Sequence, residues 1–187
     1  MRSPTTIDPD REATVNLGMT PTTPVRAPDP AKHGDSLRVA STSFSDGATI
    51  PMDNVFTGCG GKNVSPQLSW SGAPDGTKGY AITCFDPDAP TGAGYWHWVA
   101  FNIPPSATSI NAGEAPATVG YCDFGVAAYC GPCPPKGDGA HRYVYTVYAL
   151  DVAKIDGASA GTTGATLVFQ MRGHVLATGS LTGKFGH

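Results

Sequence analysis

The stretch 85–98, FDPDAPTGAGYWHW, sets Asp86, Asp88 and His97 among prolines, glycines and aromatic residues. Carboxylates and an imidazole hold ligands and move protons near neutral pH. Pro87 and Pro90 fix φ, remove backbone donors and push the residues before them toward extended geometry, so the two aspartates belong to a stiff loop and not to a helix. Gly92 and Gly94 let the chain turn back into an apolar run, 99–103, that ends at Pro104 and Pro105. A histidine between two tryptophans at the start of such a run is expected at the edge of an apolar cavity, where its neighbours set its pKa and tautomer.

Residues 130–143, CGPCPPKGDGAHRY, repeat the design: a Pro/Gly loop, then His141, then a strand. The run 142–150 is the strongest strand in the chain. Tyr143, Tyr145 and Val147 fall on one face and Val144, Tyr148 and Leu150 on the other, which predicts a strand covered on both sides. Two loops that each deliver a histidine to a central strand are expected to converge on one site. Taken singly, each histidine reads more simply as a hydrogen-bonded loop residue and each aspartate as a turn former. Asp88 and Arg142 are expected to brace the loops by an ion pair or by bonds to backbone. If the two imidazoles bind an anion, Asp86 would repel a dianion, so its expected role is to accept a proton from an imidazole or from a ligand amine. Backbone donors near Gly137 and Gly139, and apolar walls from Tyr143 and Trp98, would complete such a pocket.

Other chemistries fit less well. Cys130 and Cys133 have the spacing of a dithiol redox motif, but Pro134 and Pro135 follow at once where a thiolate-stabilising helix should begin. A zinc site on the same pair lacks a second spaced pair. Asp86, His97 and His141 form a two-histidine, one-carboxylate set, which keeps a metal-assisted hydrolase as an alternative. The glycines at 58, 60 and 61 precede no Lys-Ser/Thr and no helix, so they mark a turn and not a phosphate loop. No Gly-x-Ser-x-Gly elbow is present, and nothing marks Ser65 as activated.

The elements that must position these loops are short strands. With 24 glycines, 17 prolines and only 14% charged residues among 187, the composition favours strands joined by ordered turns in one domain. A formal net charge of −3 argues against a nucleic-acid surface. No apolar run approaches the ~20 residues of a transmembrane helix, and no basic-then-apolar leader opens the chain, so the cytoplasm is the expected compartment unless a leader is missing. Five cysteines do not suggest a secreted disulfide framework, although one bridge, such as Cys122 to Cys130, stays open.

Residues 1–34 are rich in Pro, Thr and Asp without apolar periodicity and read as an extended or mobile arm ahead of a domain spanning 35–187. Residues 36–44 and 49–51 suggest a first hairpin about the turn at Ser45, Asp46 and Gly47. Strands are expected at 63–70 and 79–85, and a surface connection over 106–118. Residues 166–176 carry a helical apolar face at Val168, Met171 and Val175, capped by Thr162 or Thr163. His174 would pack on or cap that helix. The glycine-rich tail 179–187 would dock through Leu181 and Phe185.

At these loops the sequence resembles the phosphatidylethanolamine-binding protein family, which includes the Raf kinase inhibitor-like proteins, and especially its bacterial branch. The resemblance runs from Asp35 to the C-terminus. It is carried by Ser65-Pro66-Gln67-Leu68-Ser69-Trp70, Asp86-Pro87-Asp88-Ala89-Pro90, Trp96-His97-Trp98, Gly131-Pro132-Cys133-Pro134-Pro135, Gly137-Asp138-Gly139 and His141-Arg142-Tyr143. It implies a mainly β fold, an antiparallel Greek-key β-sandwich with a C-terminal helix. It also implies a small anion pocket formed by Asp86, His97, Cys133, Pro134, Pro135, His141 and Tyr143. The expected function is non-enzymatic binding of a small anionic or phosphorylated ligand, without metal or cofactor. A kinase or peptidase is the implied protein partner, and homodimerisation is carried over from bacterial relatives. A module that binds protein alone through these loops is a further alternative.

Overall fold

The computed structural model describes residues 37–187. The arm at 1–34 and the boundary at 35 lie outside the described residues. Eight strands and one helix follow in chain order: β1 (Arg38–Ala40), β2 (Leu68–Ser71), β3 (Gly79–Asp86), β4 (Tyr95–Ile103), β5 (Ser109–Ile110), β6 (Thr118–Val119), β7 (His141–Leu150), α1 (Gly164–Gln170) and β8 (Val175–Phe185). They form a three-stranded sheet in the order β1-β2-β5 and a five-stranded sheet in the order β6-β4-β3-β7-β8. Every pairing within these sheets is antiparallel.

The two-sided apolar pattern of β7 is used on both sides. Tyr143, Tyr145 and Val147 join Ile82, Cys84 and Trp98 in a core that the small sheet covers with Leu68, Trp70 and Ile110. Tyr148 and Leu150 join Ala81, Val99 and Phe101 in a second core that α1 closes with Leu167 and Met171. Side chains alternate across a strand, so one sheet serves two layers.

Two expectations need correction. Residues 36–44 do not form a hairpin with 49–51: β1 pairs with β2, and Thr49 makes a parallel bridge to Lys184. The turn with Gly47 at φ 74° is real, but it sends the chain along β8. The helix is also shorter than its apolar face suggested. It starts at the Thr163 cap, whose side chain accepts from the Thr166 N–H, and ends at Gln170. The glycine-rich tail then continues as β8, paired with β7 from Val175 to Phe185. Its glycines allow close approach: a Cβ on Gly179 would lie 2.1 Å from the Leu37 carbonyl oxygen, and one on Gly183 would lie 2.4 Å from Ile50. His174, just past the helix, bonds Asp151 through Nδ1 at 2.9 Å.

Candidate functional site

Asp86 is the last residue of β3 and His141 the first of β7, and these strands pair antiparallel up to Phe85 opposite Val144. Alternation therefore puts Asp86, Tyr143 and His141 on one face at one end of the sheet. His97 reaches that face by a different route. Cys84 pairs with Trp98 but Phe85 pairs with Trp96, so His97 is the extra residue of a β-bulge. The bulge re-aims its side chain. The His97 ring meets the Tyr143 ring edge-on, with centroids 5.0 Å apart. Asp86, His97, His141 and Tyr143 are all 5% exposed or less.

Asp86 is engaged on both carboxylate oxygens. Oδ1 accepts from the Asp88 N–H at 2.8 Å and the Ala89 N–H at 3.1 Å, the local turn that an aspartate before a proline favours. Oδ2 accepts from His141 Nδ1–H at 2.8 Å. On its far side, His141 Nε2 faces Asp138 Oδ2 at 3.4 Å. Burial opposes protonation of His141, but Asp86 and then Asp138 outweigh it and raise its pKa above the ordinary 6.5.

His97 behaves in the opposite way. Its Nδ1–H donates to the Cys130 carbonyl at 2.7 Å, and the Cys130 N–H returns a bond to the His97 carbonyl at 2.9 Å. Burial lowers its pKa in spite of the Cys130 bond and the Asp86 charge. The neutral ring with Nδ1–H leaves Nε2 as an acceptor. The two imidazoles are thus unlike, one favouring the cation and the other the neutral form.

Tyr143 Oη lies near Asp86 and the Cys133 backbone, yet it is fully buried with no hydrogen-bond partner. Burial, then Asp86, holds its proton well above the usual phenol range. A buried hydroxyl without a partner costs about 1–3 kcal/mol, so this proton is available to an incoming acceptor. Above the site, Phe124 stacks on Phe56 at 4.8 Å and meets Tyr95 edge-on at 5.2 Å. Phe124 therefore forms an exposed aromatic shoulder.

The loop 129–135 is fixed from several sides. Asn63 accepts from the Gly131 N–H at 2.7 Å and donates to the Tyr129 carbonyl at 3.0 Å. Phe56 N–H bonds the Pro132 carbonyl at 3.1 Å. Cys133 is joined to Cys59 by a disulfide. The bridge is therefore not Cys122 to Cys130, and Cys133 is not a dithiol partner of Cys130, the pairing that Pro134 and Pro135 argued against. Those two remain thiols, with sulfurs 3.3 Å apart. Pro134 is buried and its carbonyl faces His187 Nε2 at 3.1 Å, while Pro135 is exposed.

Arg142 and Asp88 join the two loops. Arg142 Nε and Nη2 donate to Asp88 Oδ2 and Oδ1 at 2.9 and 2.6 Å, and the Arg142 N–H adds 2.9 Å to Oδ2. The Arg142 side-chain bond, more than any other contact, holds the Asp88 carboxyl below its ordinary 3.8. With Arg142 54% exposed, removing its side chain is expected to cost about 0.5 kcal/mol. Asp88→Ala, which also loses the backbone bond, should cost about 1 kcal/mol. Because the folded pKa is depressed, this contribution is present above pH 3.8 and is lost as pH falls through the folded value. Urea unfolding of both variants at pH 7 and pH 3 checks the order and the sign.

The metal set once conceivable on Asp86, His97 and His141 does not assemble. Among the described residues, the ligand atoms that converge within 4.8 Å are those of Cys59, Cys133 and His187. Trp98, expected as a wall, instead borders a separate cavity of about 290 Å³ with Val119, Glu114 and Tyr129. Asn63, Cys59, Phe124 and Asp138 were missed as site components. Only Asp138, between two glycines before His141, carried a local signal.

The family model for phosphatidylethanolamine-binding proteins matches residues 40–186. The chain belongs to the phosphatidylethanolamine-binding protein family. Within it, the chain is of the bacterial type. It is 41% identical over 159 residues to the UPF0098 protein YbhB of Escherichia coli, covering 80% of this chain and 99% of YbhB. Its fold is that of the E. coli YbcL crystal structure, described as a new member of the mammalian PEBP family. That match has a TM-score of 0.77 and 38% identity over 82% of this chain and 99% of YbcL. The phosphatidylethanolamine-binding protein homolog CT736 from Chlamydia trachomatis follows at TM-score 0.73 and 33% identity, over 81% and 98% of the two chains. The phosphatidylethanolamine-binding protein fold thus accounts for both sheets.

Proposed function

We propose that this chain binds a small phosphorylated ligand between His97, His141 and Tyr143 and performs no chemistry on it. The observation that carries the reading is the buried Tyr143 hydroxyl, left without a partner beside the Asp86–His141 pair. A non-catalytic role is supported by Asp86, whose oxygens are already engaged by its own turn and by His141. Two carboxylates about one imidazolium disfavour a dianion. A singly protonated phosphate ester suits the groups better: its hydroxyl donates to His97 Nε2, and its other oxygens accept from Tyr143 Oη and His141 Nε2–H. Asp138 sits on an exposed turn, where it can swing out and pair with a ligand ammonium, as in a phosphoethanolamine zwitterion. Phe124 offers an apolar shoulder to the rest of the ligand. A kinase or peptidase partner would meet this same end of the sheet, where Tyr121, Phe124 and Val126 are exposed. The Cys59–Cys133 bridge supports an oxidising compartment over the cytoplasm expected from the sequence.

Calorimetric titration with inorganic phosphate, phosphoethanolamine and phosphotyrosine tests the site. Tyr143→Phe should weaken binding by about tenfold, and His141→Gln should weaken it more. Equal heats from wild type and both variants would remove the site. The pH profile has a worked sign. His141 must be charged, so affinity falls as pH rises past its raised value, and His97 must be neutral, so affinity falls as pH drops past its lowered value. A flat profile from about pH 5 to 9 contradicts imidazole involvement.

A further inference from the structure

Cys59 ends a short 3₁₀ turn, Thr57–Cys59, while Cys133 lies in the loop that fixes His97. Their Cα atoms are 5.6 Å apart across 74 residues of sequence. His187 completes the group: its Nε2 is 3.3 Å from Cys59 Sγ and 3.1 Å from the Pro134 carbonyl, and its ring stands edge-on to Phe185. The two cysteines are half-buried and His187 is exposed, so solutes reach the group.

We propose that Cys59, Cys133 and His187 form a redox-gated metal site, closed as a disulfide when oxidised and able to hold a thiophilic divalent cation of the zinc type once reduced. A tetrahedral zinc bound by two thiolates and an imidazole has Zn–S near 2.3 Å and Zn–N near 2.0–2.1 Å. That places sulfur and nitrogen roughly 3.5 Å apart and the two sulfurs roughly 3.8 Å apart. The Cys59–His187 distance already matches. The sulfurs need to separate by about 2 Å from bonded contact, within reach of side-chain rotation at this Cα spacing. Two sulfurs and one imidazole nitrogen select zinc-like ions over magnesium or calcium, and a water would take the fourth position.

The chemistry balances. Two equivalents of a low-molecular-weight thiol supply two electrons, become one disulfide and leave Cys59 and Cys133 as thiols. The entering dication displaces both thiol protons to solvent. His187 Nε2, which donates to Pro134 in the oxidised form, must give up that bond and coordinate through its lone pair, with the ring proton on Nδ1.

Reduction with a water-soluble phosphine, followed by anaerobic removal of the reductant and titration with cobalt(II), reads the site without any phosphate ligand. Its failure is therefore distinct from failure of the phosphate site. Reduced protein should take up one cobalt with a thiolate-to-metal charge-transfer band that zinc abolishes, and oxidised protein should show none. Cys59→Ser should lose the band, Cys122→Ser should keep it, and His187→Ala, at an exposed position, should weaken affinity at least about tenfold. The proposal is overturned by absence of the band in reduced wild type, by unfolding on reduction, by survival of the band in Cys59→Ser, or by unchanged affinity in His187→Ala.

Discussion

Asp86→Ala is expected to lower the unfolding free energy by about 3–5 kcal/mol at pH 6, because it strips a buried imidazolium of its principal partner and removes the acceptor of its own turn. The residue is 2% exposed and accepts three hydrogen bonds, two from backbone and one from His141. The loss should depend on pH in a defined sense. The folded pKa of His141 is raised above 6.5, so its contribution is complete below pH 6.5 and disappears as pH climbs through the folded value. The gap between wild type and Asp86→Ala should therefore narrow at pH 9, leaving mainly the cost of the turn. Asp86→Asn keeps an oxygen for the Asp88 and Ala89 amides but loses the charge, and should cost about 2 kcal/mol. Urea midpoints at pH 6 and 9 measure all of this. Equal, pH-independent losses in the two variants would show that the carboxylate charge does not stabilise His141.

The second large effect is expected at Gly131. An alanine Cβ there would lie 2.2 Å from the Asn54 carbonyl oxygen and 2.7 Å from the Phe56 nitrogen. Both are backbone atoms, and Phe56 N–H is tied to the neighbouring Pro132 carbonyl. No flexible side-chain tip can move aside, so the loop must shift and the substitution should cost about 3 kcal/mol. The shift would carry the Cys130 carbonyl with it and release His97 from its tautomer, so phosphate affinity should fall along with the urea midpoint. Gly139→Ala is the control, because its Cβ would meet nothing within 4 Å. A Gly131→Ala midpoint matching that of Gly139→Ala would mean that the loop is not held as tightly as these contacts require.

Much of this arrangement was legible in the residues. The alternation along β7 gave its two buried faces, Pro87 and Pro90 marked a stiff loop, and the opposite charges of Asp88 and Arg142 pointed to a brace. What escaped the sequence depends on relations between distant segments. The bulge that turns His97 is a mismatch between Cys84–Trp98 and Phe85–Trp96 pairing, and neither strand contains it alone. The partner of Cys133 lies 74 residues away, whereas Cys130 lies three positions away and misleads. β8 read as a docked glycine-rich tail and not as a strand because its glycines lower strand propensity. Their reason is steric, set by Leu37 and Ile50 from the opposite layer. The contrast between the histidines was also hidden, since it arises from burial and from which acceptor each Nδ1 meets.

The pairing of β3 with β7 also governs how the molecule comes into being. His141 and Asp86 stand 55 residues apart in sequence, and closing a loop of that length costs conformational entropy before any contact repays it. Such non-local closure belongs to the slow regime of domain folding, milliseconds to seconds, in contrast to helical bundles. Neither half of the cluster has a native counterpart until the central strands meet, so a nascent chain released before β7 emerges would carry Asp86 and His97 but neither His141 nor Tyr143.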